Sequence, residues 1–311
     1  MKIAVVGAGI NGLYLARRLS KKGHEVVVFE KRDRIGKEAC SGLFSQRILD
    51  FIPQSRDLIQ SQINSVLIHF PKKTVKVLFS KKFFVMSHFE LDNLAADLAE
   101  KSGVKIILKH DVTDVPELKE EFERIIGCDG PNSAVRKSLS PKELDVRLAI
   151  QGFSSKKDDS DFVETWPINQ GFIWKIPRSS EIEYGVIGNS KEAKDVFEEF
   201  LKKKNLHLER ITSALVPQGF LFPSEKQVTL CGDAAGLCKP WSGGGVVWGL
   251  IAADLLLKNF PDFIKYIRAV KVFFIPRIIF SKLAVKLVYF FGFHFPWILP
   301  KRIKIESDFL L

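Results

Sequence analysis

The chain reads as an α/β protein in which a parallel sheet with helices is interleaved with a smaller antiparallel sheet and followed by a helical tail. Three observations carry this expectation. An apolar run, a glycine-rich turn and an amphipathic helix open the chain at KIAVVGAGINGLYLARRLS. Two further strand-to-glycine segments follow at 123–139 and 232–257. Between them, 63–86 and 145–224 alternate polar and apolar residues, the pattern of strands with one buried face rather than two.

The opening element is a βαβ unit. KIAVV at 2–6 is a buried parallel strand, and INGLYLARRLSKKG carries Ile10, Leu13, Tyr14, Ala16 and Leu19 at helical spacing until Gly23 stops it. HEVVVFE gives a second strand running into Glu30. Gly7, Gly9 and Gly12 form the GxGxxG turn of a Rossmann-like unit: Gly7 for the tight turn, Gly9 for pyrophosphate approach, Gly12 for helix–strand packing. Glu30 can accept from ribose hydroxyls and repels a 2′-phosphate, which disfavours NADP in this site. Asn11 in the turn and Lys31 after the acid complete the candidate contacts. The unit alone leaves NAD and FAD open.

The later segments bear on that choice. ERIIGCDGPNSAVRKSL leads a strand into Cys128-Asp129-Gly130, and QVTLCGDAAGLCKPWSGGGVVWGL leads another into Gly232-Asp233 before Gly243–Gly245 open an apolar helix. A cofactor gripped along its whole length, such as FAD, uses such segments; an NAD dehydrogenase does not. The series GAGING…E, GCDGPNSAVR and LCGDAAG resembles the FAD-dependent family that includes para-hydroxybenzoate hydroxylase. That resemblance implies that Asp233, in the Gly232-Asp233 pair, holds the ribityl chain, that the Gly243–Val246 amides, with Gly244, Gly245 and Val246 among them, face the flavin pyrimidine edge, and that Asp129 and Gly130 also contact the cofactor. The sequence departs from the family at His88, where Arg is usual, which leaves a flavin contact there open; a surface residue is the other reading.

Within that family, KEACSGLFSQRIL, GFIWKIP and KPWSGGG together resemble the geranylgeranyl reductases, over residues 1–260 or so. The resemblance implies an enzyme that saturates C=C bonds of polyprenyl chains, with a prenyl lipid or prenyl diphosphate as substrate. Cys40 and Ser41 would lie by the flavin, Cys40 as a proton source or as a small residue in a tight loop. Phe172 and Trp174 would line the substrate path. The electron donor, NAD(P)H or a small redox protein, stays open because no second GxGxxG exists. FIWKIP also resembles the W-x-W-x-I-P segment of flavin-dependent halogenases, so an oxygen-using flavin monooxygenase or halogenase is the alternative. A non-enzymatic membrane-associated flavoprotein is a second one.

The expected division is 1–62, 87–144 and 225–258 for the FAD-binding domain, 63–86 and 145–224 for the substrate sheet, and 259–311 for the helical tail. Four cysteines without CxxC spacing indicate neither a metal site nor a redox pair. The first residues read as a strand rather than a signal peptide, so a cytoplasmic protein is expected. The net charge of +11 meets no nucleic-acid-binding motif. From Lys258 to Leu311 ten Lys/Arg stand against three Asp/Glu, mixed with many Phe. Pro276, Gly292 and Pro296 are expected to break this tail into short helices that either cap the protein or touch the cytoplasmic membrane face peripherally.

Overall fold

The computed structural model describes residues 1–140 and 142–308. Residue 141, within the expected 87–144 segment, and residues 309–311, at the end of the expected tail, lie outside the described residues. The strands of the first half are β1 (Lys2–Val6), β2 (Glu25–Phe29), β3 (Leu43–Ser45), β4 (Ser61–Phe70), β5 (Lys73–Val85), β6 (Lys105–Ile107) and β7 (Arg124–Gly127). Those of the second are β8 (Asp145–Ser154), β9 (Phe162–Ile168), β10 (Gly171–Arg178), β11 (Glu181–Gly188), β12 (Glu209–Gln218), β13 (Val228–Leu230) and β14 (Arg302–Ile305). The helices are α1 (Ile10–Ser20), α2 (Ile48–Phe51), α3 (His88–Glu100), α4 (Val115–Glu121), α5 (Ala134–Leu139), α6 (Ala193–Lys204), α7 (Val246–Asn259) and α8 (Phe263–His294).

Two compact units result. The first comprises Met1–Lys37, His88–Asp145 and Pro217–Pro276. Its sheet, among the described residues, has the order β13-β7-β1-β2-β6 and is parallel throughout. The central strands are apolar and buried along nearly their whole length, as a sheet covered on both faces requires. Helix α1 turns Leu13, Leu15, Ala16 and Leu19 inward, all fully buried. The long α7 is buried along most of its length, with Trp248 packed against Phe274 at 5.2 Å between ring centroids.

The second unit comprises Glu38–Ser87, Val146–Val216 and Arg277–Leu311. Its sheet has the order β12-β8-β11-β10-β9-β4-β5-β14, with β3 pairing β5. Hairpin neighbours such as β10 and β11 pair antiparallel, whereas β4 with β9 and β14 with β5 are parallel. One face buries Ile63, Val85, Val163, Trp174, Ile176 and Ile187 as a core cluster. The indole of Trp174 lies across Gly185, where an added Cβ would stand 2.2 Å from the ring. Residue 185 is therefore held to glycine by the tryptophan opposite it.

Three expectations are corrected here. Residues 38–62, expected with the nucleotide domain, pack in the second unit because β3 and the start of β4 pair with β5. The tail is not a set of short helices: α8 runs through Pro276 without a break. Proline removes one hydrogen bond, to the carbonyl of Val272, and Val272 is 77% exposed, so water can take that carbonyl. The tail is also not wholly helical, since Arg302–Ile305 adds strand β14 beside β5.

Candidate functional site

Two helix N-termini in the first unit open on glycine instead of a capping side chain. Gly9 precedes α1 and Gly245 precedes α7, and neither position makes a side-chain cap. In the same unit Asp114 caps α4 and Ser133 caps α5 by accepting from backbone N–H groups. Free N–H groups at the positive end of a helix dipole are suited to an anionic group.

The three glycines of the first turn have different reasons to be glycine. Gly7 adopts φ +103°, and a Cβ there would stand 2.5 Å from the Cys128 carbonyl oxygen. A Cβ on Gly12 would stand 2.2 Å from the Gly7 carbonyl oxygen. Both are packing constraints. A Cβ on Gly9 would meet nothing within 4 Å, so its backbone borders open space where a ligand can approach. Gly130, at φ +78°, likewise borders open space.

Glu30 follows β2 at the edge of this turn. Its carboxylate accepts from the Ala8 N–H at 2.9 Å, the Arg32 N–H at 3.0 Å and Arg32 Nε at 2.8 Å. Burial pushes this carboxyl up, but the bonds from Arg32 and Ala8 outweigh it and hold Glu30 below the usual glutamate range. A charged, pre-aligned acid thus stands beside the glycine turn. Lys31 is exposed.

The later fingerprints meet the first through side chains. Asn11 wedges between Gly232 and Gly249; a Cβ on either would stand 2.3 Å from its Nδ2. Asn11 Oδ1 is buried without a hydrogen-bond partner among the described residues. Asp129 Oδ2 accepts from the Ala134 and Val135 N–H groups at 2.7 and 3.2 Å, which ties it to the start of α5. The buried Arg136 donates to the carbonyls of Pro131 and Ala234 at 2.6 and 2.9 Å, clamping the second segment to the third. Asp233 lies 3.7 Å from Lys37 Nζ and accepts from Cys238 Sγ at 3.4 Å. A Cβ on Gly245 would stand 2.6 Å from Asp233 Oδ1, so Asp233 stands against the start of α7 that Val246 opens. The Gly244 N–H donates to Ser242 Oγ at 3.3 Å.

Open space at Gly9 and Gly130, two glycine-started helices and a charged Glu30 fit a dinucleotide gripped along its length. The unit therefore brings together Gly7, Gly9, Asn11, Gly12, Glu30, Asp129, Gly130, Gly232, Asp233, Gly244, Gly245 and Val246. His88 is a correction: it is buried, not a surface residue, and opens α3 with Nε2 3.4 Å from Asp92 Oδ1. Asp92 in turn accepts from the Lys37 N–H.

The remaining candidates lie in the second unit. Cys40 and Ser41 sit in a loop held from three sides. Arg178 Nη2 donates to the Ser41 carbonyl at 2.5 Å, Gln151 Nε2 to the Cys40 carbonyl at 3.2 Å, and the Met86 N–H to the Gly42 carbonyl at 3.0 Å. Gly42, at φ +60°, leaves no room for a Cβ, which would stand 2.2 Å from the Met86 carbonyl. Arg178 is itself paired with the fully buried Glu183, with Nε and Nη2 each 2.7 Å from Oε2. Trp174 Nε1 donates to the other carboxylate oxygen at 2.8 Å. Burial pushes the Glu183 carboxyl up, and Arg178 and Trp174 pull it back only in part. Phe172 packs on the edge of the core cluster that contains Trp174.

Sequence reasoning missed Arg32, Arg136, Arg178 and Glu183. A signal existed for Arg136, which ends the quoted GCDGPNSAVR segment. For Glu183 the available signal was an acid in the middle of the otherwise largely apolar EIEYGVIG stretch at 181–188. No sequence spacing links Arg178 to residue 41.

Fold and cradle define a class: a Rossmann-like dinucleotide-binding domain interleaved with a largely antiparallel sheet. The model of the NAD(P)-binding Rossmann-like domain matches residues 5–54. More particularly, the chain is similar to digeranylgeranylglycerophospholipid reductase 1 of Methanosphaera stadtmanae, at 24% identity covering 84% of this chain and 76% of that protein. Reductases of the same name from other methanogens match comparably. A solved geranylgeranyl bacteriochlorophyll reductase-like protein of Thermoplasma acidophilum shares the fold, with TM-score 0.78 at 21% identity, covering 92% of this chain and 86% of that one. A flavin-dependent halogenase of Xanthomonas campestris shares it with TM-score 0.72 at 15% identity, covering 93% and 77%. The resemblance to geranylgeranyl reductases read from the motifs is borne out. Among the described residues, no helix is long and apolar enough to cross a membrane.

Proposed function

We propose that this protein is an FAD-dependent reductase that saturates C=C bonds in the polyprenyl chains of a lipid precursor. The observation that carries the reading is the similarity to curated prenyl-lipid reductases along more than four fifths of the chain. Bound and reduced, FAD would supply a hydride to one alkene carbon. The chain's own residues do the rest. Gly9 and the α1 N–H groups receive the pyrophosphate, and Glu30 receives the ribose of the AMP half. Asp233 would accept from the ribityl hydroxyls, and the N–H groups at Gly245 and Val246, at the positive end of α7, would favour an anionic ring.

An isolated alkene has no carbonyl to polarise, so placement and a proton source matter more than electrophilic assistance. Cys40 is the proposed donor to the second alkene carbon, in a loop that Arg178 and Gln151 hold in one conformation. Phe172, with Trp174 behind it, offers an apolar surface to the chain. The electrons come from NAD(P)H or a small redox protein.

The test is anaerobic. Dithionite-reduced protein incubated with a geranylgeranylated phospholipid gives products heavier by one H2 per reduced bond, read by mass spectrometry. Oxygen-dependent NAD(P)H consumption with a hydroxylated or halogenated product would instead place the chain with the monooxygenases or halogenases.

A further inference from the structure

Helix α8 and the turn after it expose more apolar surface than a water-facing helix ordinarily carries. In the second unit, Ile279, Leu283, Leu287 and Phe290 are all exposed, and at 100° per residue they fall within a sector of about 80°. They form a stripe about 16 Å long at 1.5 Å per residue. The turn Pro296–Ile298 adds Trp297, 71% exposed, and Ile298. The opposite side of the helix is the packed one: Ser281 is buried, and Gly292 is pressed onto Phe70, where a Cβ would stand 2.1 Å from the ring. The exposed stripe is therefore a second apolar face rather than the ragged edge of the core. Contiguous exposed apolar surface of this kind marks an interaction site.

Charge identifies the occupant. From Phe263 to Lys304 the sequence has nine Lys/Arg and no Asp or Glu. Lys282 and Lys286 are exposed beside the stripe, and Lys301 and Arg302 are exposed just beyond Trp297. Two copies of the chain meeting through this face would set cations against cations. The helix is also not apolar enough to span a bilayer. Exposed Phe and Leu flanked by lysines, with a tryptophan at one end, match a helix lying in the plane of an anionic lipid surface.

We infer that the α8 stripe and the Pro296–Ile298 turn dock this protein on an anionic bilayer. The surface goes beyond the proposed reaction and does not rest on it, since binding is read without flavin or turnover. The test is co-sedimentation of the full chain with vesicles of phosphatidylglycerol and phosphatidylcholine in equal parts, against phosphatidylcholine alone. The protein pellets with the anionic vesicles, and raised salt weakens the binding. Ile279→Ser/Leu283→Ser/Trp297→Ser abolishes it, and Lys282→Ala/Lys286→Ala lowers the partition coefficient roughly thirtyfold. Both lysines are exposed, so their replacement keeps the test decisive should the apolar variant fail to fold. Equal pelleting of wild type and lysine variant overturns the inference. So does a concentration-dependent dimer that Ile279→Ser/Leu283→Ser dissolves, which would assign the face to a second copy.

Discussion

Replacing Arg178 by Met removes a guanidinium while keeping most of the volume of its stem. In the native protein that guanidinium makes two contacts of 2.7 Å with Glu183 and also donates to Gln60 Oε1 and the Ser41 carbonyl. Glu183 has 0% exposure, so Arg178→Met strands a carboxylate that water cannot reach. Breaking a buried pair from one side costs about 3–5 kcal/mol, against about 0–1 for an exposed pair. The expected loss is thus several kcal/mol in urea unfolding followed by tryptophan fluorescence. The double variant Arg178→Met/Glu183→Gln recovers much of it, because a neutral amide is cheaper to bury and still accepts from Trp174 Nε1.

The pH dependence has a definite sign. Burial raises the Glu183 carboxyl in the folded state, so the native protein holds its proton more tightly than the unfolded chain. The associated stability is fully present below the ordinary glutamate range and is lost as pH rises through the raised folded value. Without Arg178 the carboxyl is raised further, so that decline runs on to higher pH, and the double variant, which has no carboxyl at 183, removes it. Loss of the donor to Ser41 also loosens the Cys40 loop, so iodoacetamide alkylates Cys40 faster in Arg178→Met, as mapped by peptide mass spectrometry. A loss below about 1 kcal/mol, the value of a surface pair, would refute the argument.

Four further outcomes follow from the first unit and the Cys40 loop. Gly9→Ala leaves the stability of the flavin-free protein within about 0.5 kcal/mol, since its Cβ meets open space, yet weakens FAD binding about tenfold or more by flavin titration. Gly12→Ala instead lowers stability itself, because its Cβ collides with the Gly7 carbonyl; a Gly12→Ala protein as stable as wild type would contradict the packing. Glu30→Gln weakens the bonds from Arg32 and Ala8 at a cost of about 1.5–3 kcal/mol at neutral pH. Because the folded Glu30 is held low, its stabilisation is present above the ordinary glutamate range and lost as pH falls through the folded value, so the difference from Glu30→Gln shrinks in acid. Cys40→Ala retains flavin but slows prenyl reduction about a hundredfold if the thiol donates the proton; an unchanged rate reduces Cys40 to a small loop residue.

The sequence alone determined the first unit in detail. A βαβ turn is local: the strand, the glycines, the helix and the acid all lie within Lys2–Glu30, and each is specified by neighbours a few residues away. The later fingerprints were legible for the same reason, as short strand-to-glycine segments whose backbone demands particular residues. The alternation in 145–224 disclosed the second sheet, but not that Arg302–Ile305 would add a strand beside β5. Nor did it show that 38–62 would leave the nucleotide unit.

Only the tertiary structure decided which glycines are closed by packing and which border open space. Gly9 and Gly12 are the same residue three apart, and only the Gly7 carbonyl over one of them separates their roles. It also turned Pro276 from an expected break into an interior residue, because the bond that proline forfeits falls on the exposed side of α8. The Glu183–Arg178–Ser41 chain was invisible beforehand, since its members lie 137 residues apart between Ser41 and Arg178 and meet only where sheet and loop converge. Local chemistry is written along the chain; burial and desolvation, which set the charge of Glu183 and expose the stripe on α8, exist only once distant segments have packed.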